Sequence, residues 1–304
     1  MRRKGWNRAV EDRGGGRWGR SWMSVDQPRV SDEERFSFER FARHPFFKEV
    51  NAWLVAHAGI RANSSVVDLA CGPGAVTELI LQELDESTPG ACVYAIDPSP
   101  SALALARKRV HSTLVRFIQG SAERLASLVP QVDVVVLTNA IHLISDKLTA
   151  FEEVFKTLRP DGVFGFNTTF FDGAYADGTQ RFYKLWVLRA MRWLQEQGYA
   201  VTRGVKATAR QWLTVDEYRS LVRMVGFGEP TIELQEKSLS EESLADIGSF
   251  SLFIEGALPG VPLEIGAEAL RRGVSQVFEE LKLTCVPRNW LQVIVRRPLD
   301  PAAG

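Results

Sequence analysis

The fold of this chain is decided by one stretch, Ser65-Val66-Val67-Asp68-Leu69-Ala70-Cys71-Gly72-Pro73-Gly74-Ala75-Val76-Thr77. An apolar run ends at an acid, a tight Gly-Pro-Gly turn follows, and residues with helical spacing begin at Val76. Glycines let a ligand approach the backbone closely because they carry no Cβ, and the start of a helix offers unpaired N–H groups. The stretch therefore predicts a strand, a turn and a helix, with a cationic or hydroxyl-bearing ligand at the turn within reach of the Asp68 carboxylate.

Dinucleotide-binding proteins also use a glycine-rich turn after a strand, with the fingerprint G-x-G-x-x-G. Gly72 and Gly74 match its first two glycines, but Thr77 stands where the third glycine permits close packing of helix and strand. The acid four residues before Gly72 is not part of that fingerprint either. A dinucleotide-binding turn and a plain strand-to-helix turn are the two alternatives to the interpretation that follows.

Short apolar segments and helical segments alternate through the first half of the chain. After the first strand, strands are predicted at 91–97, 114–119, 132–137, 163–171, 231–236 and 290–296, and the helices between the early strands at 76–84, 99–110 and 146–158. Strands that alternate with helices form parallel sheets with helices on both faces. The pattern predicts an α/β fold with a doubly wound, mostly parallel sheet of seven strands.

Four features stand at the ends of successive predicted strands. They are the turn from Asp68 to Gly74, the pair Asp97-Pro98, the segment Gly120-Ser121-Ala122-Glu123, and the segment Thr138-Asn139-Ala140-Ile141-His142. Ligands of open α/β sheets bind outside the carboxyl ends of the strands. A carboxylate such as that of Asp97 can accept strong hydrogen bonds from both hydroxyls of a ribose. The four features therefore predict one nucleoside-containing ligand site.

In this order, the four features resemble the ligand-contacting motifs of class I S-adenosylmethionine (SAM)-dependent methyltransferases of the small-molecule type, whose first motif is D-x-x-x-G-x-G. The resemblance covers roughly residues 45–171 and implies a Rossmann-like fold with SAM as cofactor. It implies that Gly72 and Gly74 pass under the methionine portion, that Asp97 holds the ribose and that Pro98 lies along the adenine.

The resemblance assigns further cofactor contacts after the third and fourth strands. It implies that Ala122 and Glu123 read the adenine edge and that Asn139 and Ala140 present backbone near the sulfonium and amino group. The other cofactor-binding residues that it implies are Asp68, Ala70 and Ser121. Two acids have plainer interpretations, since Asp97 can be a surface acid at a strand end and Glu123 a helix N-terminal acid that the dipole favours.

His142 is the one titratable side chain in these motifs that stands where a reacting group can lie. An imidazole titrates near neutral pH, which suits a general base. His142 is therefore the candidate catalytic residue. The alternatives are that it caps the following helix or lines the pocket.

Residues 172–213 are predicted to form one helical, aromatic-rich lid over the acceptor. Four aromatic side chains in or beside it are the candidate substrate-binding residues, namely Phe171, Tyr175, Tyr183 and Trp186. Aromatic side chains at helical spacing most often form a stripe that packs in the core. The alternative is therefore that these side chains pack in the core and do not contact substrate. An apolar lid suits a small, partly hydrophobic or aromatic molecule and keeps water from the sulfonium.

The domain boundaries follow from these segments. We expect a disordered tail at 1–22, cap helices at 23–60, the SAM-binding core at 61–171, the lid at 172–213, and a C-terminal part of the core at 214–304 with a helical insertion at about 239–288. The tail carries seven Arg and Lys residues and no periodicity. It is interpreted either as an RNA- or phosphate-binding arm or, preferably, as an over-extended start before Met23.

Composition narrows the class of protein. The 304 residues are 45% hydrophobic and 24% charged with no net charge, so that outside the basic tail the chain is mildly acidic and lacks the basic face of a nucleic-acid-binding protein. Three well-separated cysteines favour reduced thiols in the cytoplasm, and the scattered histidines give no metal-ligand spacing. No segment has the roughly 20 apolar residues of a membrane span. We expect no metal, nucleic-acid or membrane partner.

The sequence thus predicts a cytoplasmic SAM-dependent methyltransferase that transfers a methyl group to oxygen, nitrogen or carbon of a small molecule. An NAD(P)-dependent reductase is the alternative enzyme, although the third glycine and a Tyr-x-x-x-Lys pair are missing. A methyltransferase-like protein that binds SAM without turnover is the alternative from another class.

Overall fold

The computed structural model describes residue 36, residues 38–200 and residues 212–299. The predicted tail at 1–22 and the start of the cap at 23–35 lie outside the described residues, as do residues 201–211 of the lid. Within the described ranges, no helix combines the length and the apolar character that crossing a membrane requires.

A seven-stranded sheet forms the centre of the molecule. Its strands are β1 Ser65–Leu69, β2 Cys92–Asp97, β3 Val115–Gln119, β4 Val132–Thr138, β5 Leu158–Thr168, β6 Thr231–Leu239 and β7 Val286–Arg296. Their order in the sheet is β3-β2-β1-β4-β5-β7-β6, and β7 runs antiparallel to both of its neighbours. The predicted mostly parallel sheet of seven strands is confirmed.

The helices lie before, between and after the strands. They are α1 Glu39–Ala42, α2 Pro45–His57, α3 Ala75–Leu81, α4 Pro100–Arg109, α5 Leu125–Leu128, α6 Lys147–Thr157, α7 Gln180–Glu196, α8 Val215–Val225, α9 Glu241–Ile247, α10 Ser251–Ala257 and α11 Leu263–Leu281. Two short 3₁₀ turns, Ala122–Arg124 and Ile141–Leu143, follow β3 and β4. The carboxyl ends of β1 to β4 thus all run into short loops at one edge of the sheet.

The central strands are buried on both faces because their side chains alternate between two helix layers. Val66 and Val134 face a cluster that includes residues of α2 and α3. Val67 and Val135 face the opposite cluster, which includes residues of α6 and α8. The run of β-branched residues in β4 therefore serves both layers and fixes the sheet that carries the site.

A second apolar core lies beyond the sheet and joins the cap helices to α7, α9 and α11. Trp186 is 1% exposed there and donates its indole N–H to the carbonyl of Leu270 over 2.7 Å. Arg189 of α7 pairs with Glu280 of α11 at 2.7 Å. These contacts join α7 and α11 into one helical layer.

The lid differs from the predicted single helical segment. Its helix begins only at Gln180, and the preceding residues 172–179 form turns in which Gly173 and Gly178 have φ values of 127° and 82°. Tyr175 forms an isolated β-bridge with Arg288. Turn residues such as Asp and Gly favour left-handed and extended backbone over a helix, and this explains the late start. The limits of the tail, cap, core and lid remain predictions.

Candidate functional site

A cavity of about 430 Å³ opens at the carboxyl ends of β1, β2 and β4. Ten of its lining residues are residues that the sequence assigns to the site, namely Ala70, Gly72, Asp97, Pro98, Ser121, Ala122, Glu123, Asn139, Ala140 and His142. Phe38 and Phe47 from the cap and Phe250, which immediately precedes α10, also line the wall. The structure thus brings the four sequence motifs together around one apolar space with a few polar groups.

Asp97 is held in the cavity wall by two backbone groups. Its Oδ2 accepts the N–H of Gly72 and its Oδ1 accepts the N–H of Ser99, each over 2.9 Å. Burial raises the pKa of this carboxyl from its ordinary value, and the two N–H donors oppose that shift. Because each carboxylate oxygen has two lone-pair sites, Asp97 retains acceptor capacity toward a ligand in the cavity.

Asp68 lies beneath the cavity and does not line it. It is fully buried and accepts the hydroxyl of Thr77 at 2.6 Å, while its Oδ1 has no partner among the described residues. Burial raises the pKa of Asp68 to about 7. The sequence predicts that the Asp68 carboxylate reaches the ligand directly. In the structure this carboxylate does not border the cavity. Asp68 instead ties the end of β1 to the first turn of α3.

The two glycines of the turn have different surroundings. Gly72 has a φ of 52° and borders the cavity, and a Cβ built on it would meet no atom within 4 Å. Gly74 has a φ of 85° and is buried, and its Cβ would lie 2.9 Å from Cγ2 of Val110. Gly72 therefore leaves space beside the ligand site, whereas Gly74 permits α3 and α4 to approach each other.

Asn139 is fixed by a network of buried polar groups that sequence reasoning missed. Its backbone N–H donates to Oδ1 of Asn167, and its side chain donates to Oδ1 of Asn51, both over 3.0 Å. The indole of Trp290 donates to Asn139 Oδ1 over 2.8 Å. These bonds hold Asn139 at a φ of 50°, a conformation that asparagine tolerates better than most residues. They position the loop after β4 against the cavity.

His142 is buried at the inner end of the cavity. Its Nδ1 lies 3.3 Å from Oγ1 of Thr168, and its ring packs 4.2 Å from that of Phe170. Burial first, and then the charges of Lys147 and Arg288, lower the pKa of His142 to about 3. The imidazole is therefore neutral at physiological pH and disfavours a bound proton, which weakens the argument for His142 as a general base.

A smaller cavity of about 100 Å³ lies on the other side of His142 and Phe250, which line both cavities. Its remaining walls are aromatic or apolar, and they include Phe170, Tyr175 and Trp212. We call this space the aromatic chamber. A small apolar molecule in this space would lie next to a ligand in the larger cavity.

The four candidate substrate residues occupy different environments. Tyr175 lines the aromatic chamber. The ring of Tyr183 stacks on the ring of Tyr175, with their centroids 4.1 Å apart. Phe171, Tyr183 and Trp186 are buried in the two cores and line neither cavity. The structure therefore does not place these three side chains where they contact a molecule bound in either cavity. The helical spacing of Tyr183 and Trp186 on α7 reflects packing, the default interpretation of such a stripe, whereas Phe171 precedes the helix.

Comparison with known proteins shows which proteins this chain resembles. The family described as "Methyltransferase domain" matches residues 66–162. The "Probable S-adenosylmethionine-dependent methyltransferase CRG1" of Saccharomyces cerevisiae is 35% identical over 123 residues, which are 38% of this chain and 39% of that protein. Trans-aconitate 2-methyltransferase of Azoarcus sp. is 32% identical over 110 residues, 36% of this chain and 41% of that protein. The matches thus span about two fifths of each relative.

A solved structure agrees in fold. Phosphoethanolamine N-methyltransferase 2 of Haemonchus contortus, solved with phosphomonomethylethanolamine and S-adenosylhomocysteine, superposes with a TM-score of 0.52 at 16% identity. The superposition covers 88% of this chain and 58% of that one. These comparisons confirm the predicted resemblance to SAM-dependent methyltransferases and the Rossmann-like fold of that class, and they identify residues 66–162 as matching a methyltransferase domain.

Proposed function

We propose that this chain, whose residues 66–162 match a methyltransferase domain, transfers the methyl group of SAM to a small, partly apolar molecule. The observation that carries the proposal is the arrangement of two spaces on either side of His142. The larger one is lined by the residues that the sequence assigns to the cofactor, and the smaller one is the aromatic chamber. A donor and an acceptor bound in them would meet at His142.

The lining residues fit SAM in shape and in charge. Gly72 leaves open the space that a Cβ would fill, and Pro98 and Ala122 offer apolar surface for an adenine. Asp97 presents a carboxylate for ribose hydroxyls. The Asp97 carboxylate, which lines the cavity, favours a ligand that carries positive charge.

When bound, SAM supplies a methyl group on a sulfonium sulfur, which leaves as a neutral thioether when a nucleophile attacks in line. The loop from Thr138 to His142 lines the larger space, and its His142 lines both. The contacts of Asn139 with Asn51, Asn167 and Trp290 fix this loop, so that it can align the two reactants. Alignment of two reactants is worth several kcal/mol of the barrier. The aromatic walls keep water out of the reacting space.

The acceptor has to be a competent nucleophile without help from His142. A histidine whose pKa lies at about 3 is a poor proton acceptor at neutral pH. Acceptors that need no base in the protein, such as a carboxylate or an amine that is neutral at the working pH, suit this site. The size of the aromatic chamber, about 100 Å³, supports a small acceptor.

We also propose a cytoplasmic location. The cysteines Cys71, Cys92 and Cys285 form no disulfide among the described residues, and this is consistent with a reducing compartment.

The test is a screen in which methyl-labelled SAM is incubated with the protein and fractionated small-molecule extracts. We expect label to move from SAM into an extractable small molecule, and we expect the Asp97→Ala variant to lose this transfer. Binding of SAM without transfer to any fraction would instead support the alternative of a non-catalytic SAM-binding protein.

A further inference from the structure

Arg288 of β7 is a buried cation beside the aromatic chamber. Only 2% of it is exposed, and its guanidinium donates through Nε to Thr169 Oγ1 over 2.8 Å and through Nη2 to the Thr169 carbonyl over 2.7 Å. A guanidinium carries five N–H groups. Three of them therefore meet no acceptor among the described residues.

Aromatic rings surround this guanidinium. Its Cζ lies 5.3 Å from the ring centroids of Phe170 and Tyr175, 5.4 Å from that of Tyr183 and 5.8 Å from that of Trp212. Ring faces stabilise a cation at these distances by electrostatic attraction. Three of the four rings also line the aromatic chamber. The rings thus place the positive charge of Arg288 directly behind the chamber wall.

No carboxylate of the described residues pairs with Arg288. A buried charge is costly unless it is paired and its hydrogen-bonding groups are satisfied. Lys147 is a second buried cation near His142, and among the described residues its Nζ donates only to the carbonyl of Ile144, over 2.7 Å. The surroundings of the aromatic chamber therefore carry positive charge without a described counter-ion. The depressed pKa of His142, to which both cations contribute, is consistent with this charge.

A second polar group in the same cluster lacks a partner. The hydroxyl of Tyr183 is sealed from solvent and has no hydrogen-bond partner among the described residues, although a buried tyrosine hydroxyl usually finds one. The Tyr183 ring stacks on Tyr175 and faces Arg288. A hydroxyl without a described partner and a guanidinium without a described counter-ion therefore lie in one cluster.

We propose that Arg288, with the hydroxyl of Tyr183, binds a carboxylate group of the methyl acceptor, whose apolar body lies in the aromatic chamber. The inference rests on the proposed function, since it names the class of molecule that the same site accepts. The two oxygens of a planar carboxylate match the paired N–H groups of a guanidinium. Charge-assisted hydrogen bonds of this kind are roughly twice as strong as hydrogen bonds between neutral groups. Tyr175, which is 37% exposed, separates the pair from the chamber, and its side chain has to turn to admit the carboxylate.

The test compares acids with their amides, which have nearly the same shape and no charge. The probes are benzoate, phenylacetate and cinnamate with the three matching primary amides, and their binding to the protein saturated with S-adenosylhomocysteine is measured by ligand-detected NMR. We expect at least one acid to bind ten-fold or more tightly than its amide. We expect this preference to disappear in Arg288→Met.

Two further variants make the result specific. Tyr183→Phe removes only the unpartnered hydroxyl, and we expect it to fold normally and to weaken the acid about three-fold or more. Arg116→Met is the matched control, because Arg116 also lies near one ring, that of Tyr94, but on β3 at the far edge of the sheet. We expect it to keep the preference for the acid.

The inference is overturned if no acid binds better than its amide, or if the preference survives in both Arg288→Met and Tyr183→Phe. Calorimetry with S-adenosylhomocysteine on the same samples separates this failure from failure of the proposed function. A protein that binds the nucleoside but shows no preference for acids contradicts only the inference. A protein that does not bind the nucleoside contradicts the proposed function.

Discussion

The hydroxyl of Thr77 donates to Oδ2 of Asp68 over 2.6 Å, so that the acid at the end of β1 is bound to the first turn of α3. In the sequence, Thr77 is the residue that breaks the dinucleotide fingerprint. In the structure, the Thr77 side chain provides a hydrogen-bond donor to one oxygen of a carboxyl group that is wholly buried. The mismatch at Thr77 and the presence of Asp68 are thus one feature of the turn.

The buried Asp68 makes stability depend on pH. Its pKa is raised from 3.8 to about 7 by burial, so that its contribution to the free energy of unfolding is fully present below about pH 4 and is lost as the pH rises through about 7. We expect Asp68→Asn to remove this loss. Urea unfolding of both proteins at several pH values from 4 to 8 measures it. If the free energy of unfolding changed with pH in the same way in both proteins, the pKa of Asp68 would not be raised.

Gly74 is expected to be a stability residue. Alanine there requires a φ of 85° and places its Cβ 2.9 Å from Cγ2 of Val110. The left-handed backbone costs roughly 1–2 kcal/mol for a residue with a Cβ, and the contact adds to it. Gly178 is the matched control, since its φ is 82° and no atom lies within 4 Å of its added Cβ. Equal losses for Gly74→Ala and Gly178→Ala, measured by urea unfolding, would refute the packing role.

His142 is expected to stay neutral in solution. With a pKa of about 3, its imidazole ring carries no positive charge at any pH from 5 to 8. Nitrogen NMR of histidine-labelled protein reads the charge state directly, and the spectrum of His142→Gln identifies the signal. A signal that titrates between pH 6 and 7 would restore His142 as a candidate general base.

Trp186 and Tyr175 are expected to respond differently to truncation. Trp186 is 1% exposed and bonded to Leu270, so Trp186→Ala should cost about 3–5 kcal/mol of stability, as large-to-small core substitutions do. Tyr175 lines the aromatic chamber, and Tyr175→Ala should impair turnover with little loss of stability. Urea unfolding and methyl transfer are measured for both variants. A stable Trp186→Ala variant that has lost turnover would assign Trp186 to the acceptor site instead.

The parts of the site that the sequence predicts are those with a local signature. The glycine turn and the acid Asp97 stand at strand ends, and strand ends are recognisable from the alternation of apolar runs and turn residues. The topology of a parallel sheet then brings them to one edge. This is why ten residues assigned from the sequence line one cavity.

The parts that the sequence does not predict depend on distant contacts. Asn51 meets Asn139 across 88 residues, and Arg288 meets Thr169 across 119. Neither pair has a local pattern, because a polar residue in a helix or strand is ordinarily exposed. Helical spacing likewise places Tyr183 and Trp186 on one face of a helix, but it does not show whether that face lines a cavity or packs in a core. That depends on which other elements cover the helix.

The central claim is that the cavity beside Asp97 binds SAM, and calorimetric titration of the protein with SAM, S-adenosylhomocysteine and NADPH tests it most directly. We expect saturable binding of SAM and S-adenosylhomocysteine, none of NADPH, and a loss of about 1.5–3 kcal/mol in Asp97→Ala, the range for hydrogen bonds to a charged group. Asp133→Ala is the control, since Asp133 binds Ser65 at the opposite end of β1, and it should keep the wild-type affinity. Absence of SAM binding, or an unchanged affinity in Asp97→Ala, would contradict the account.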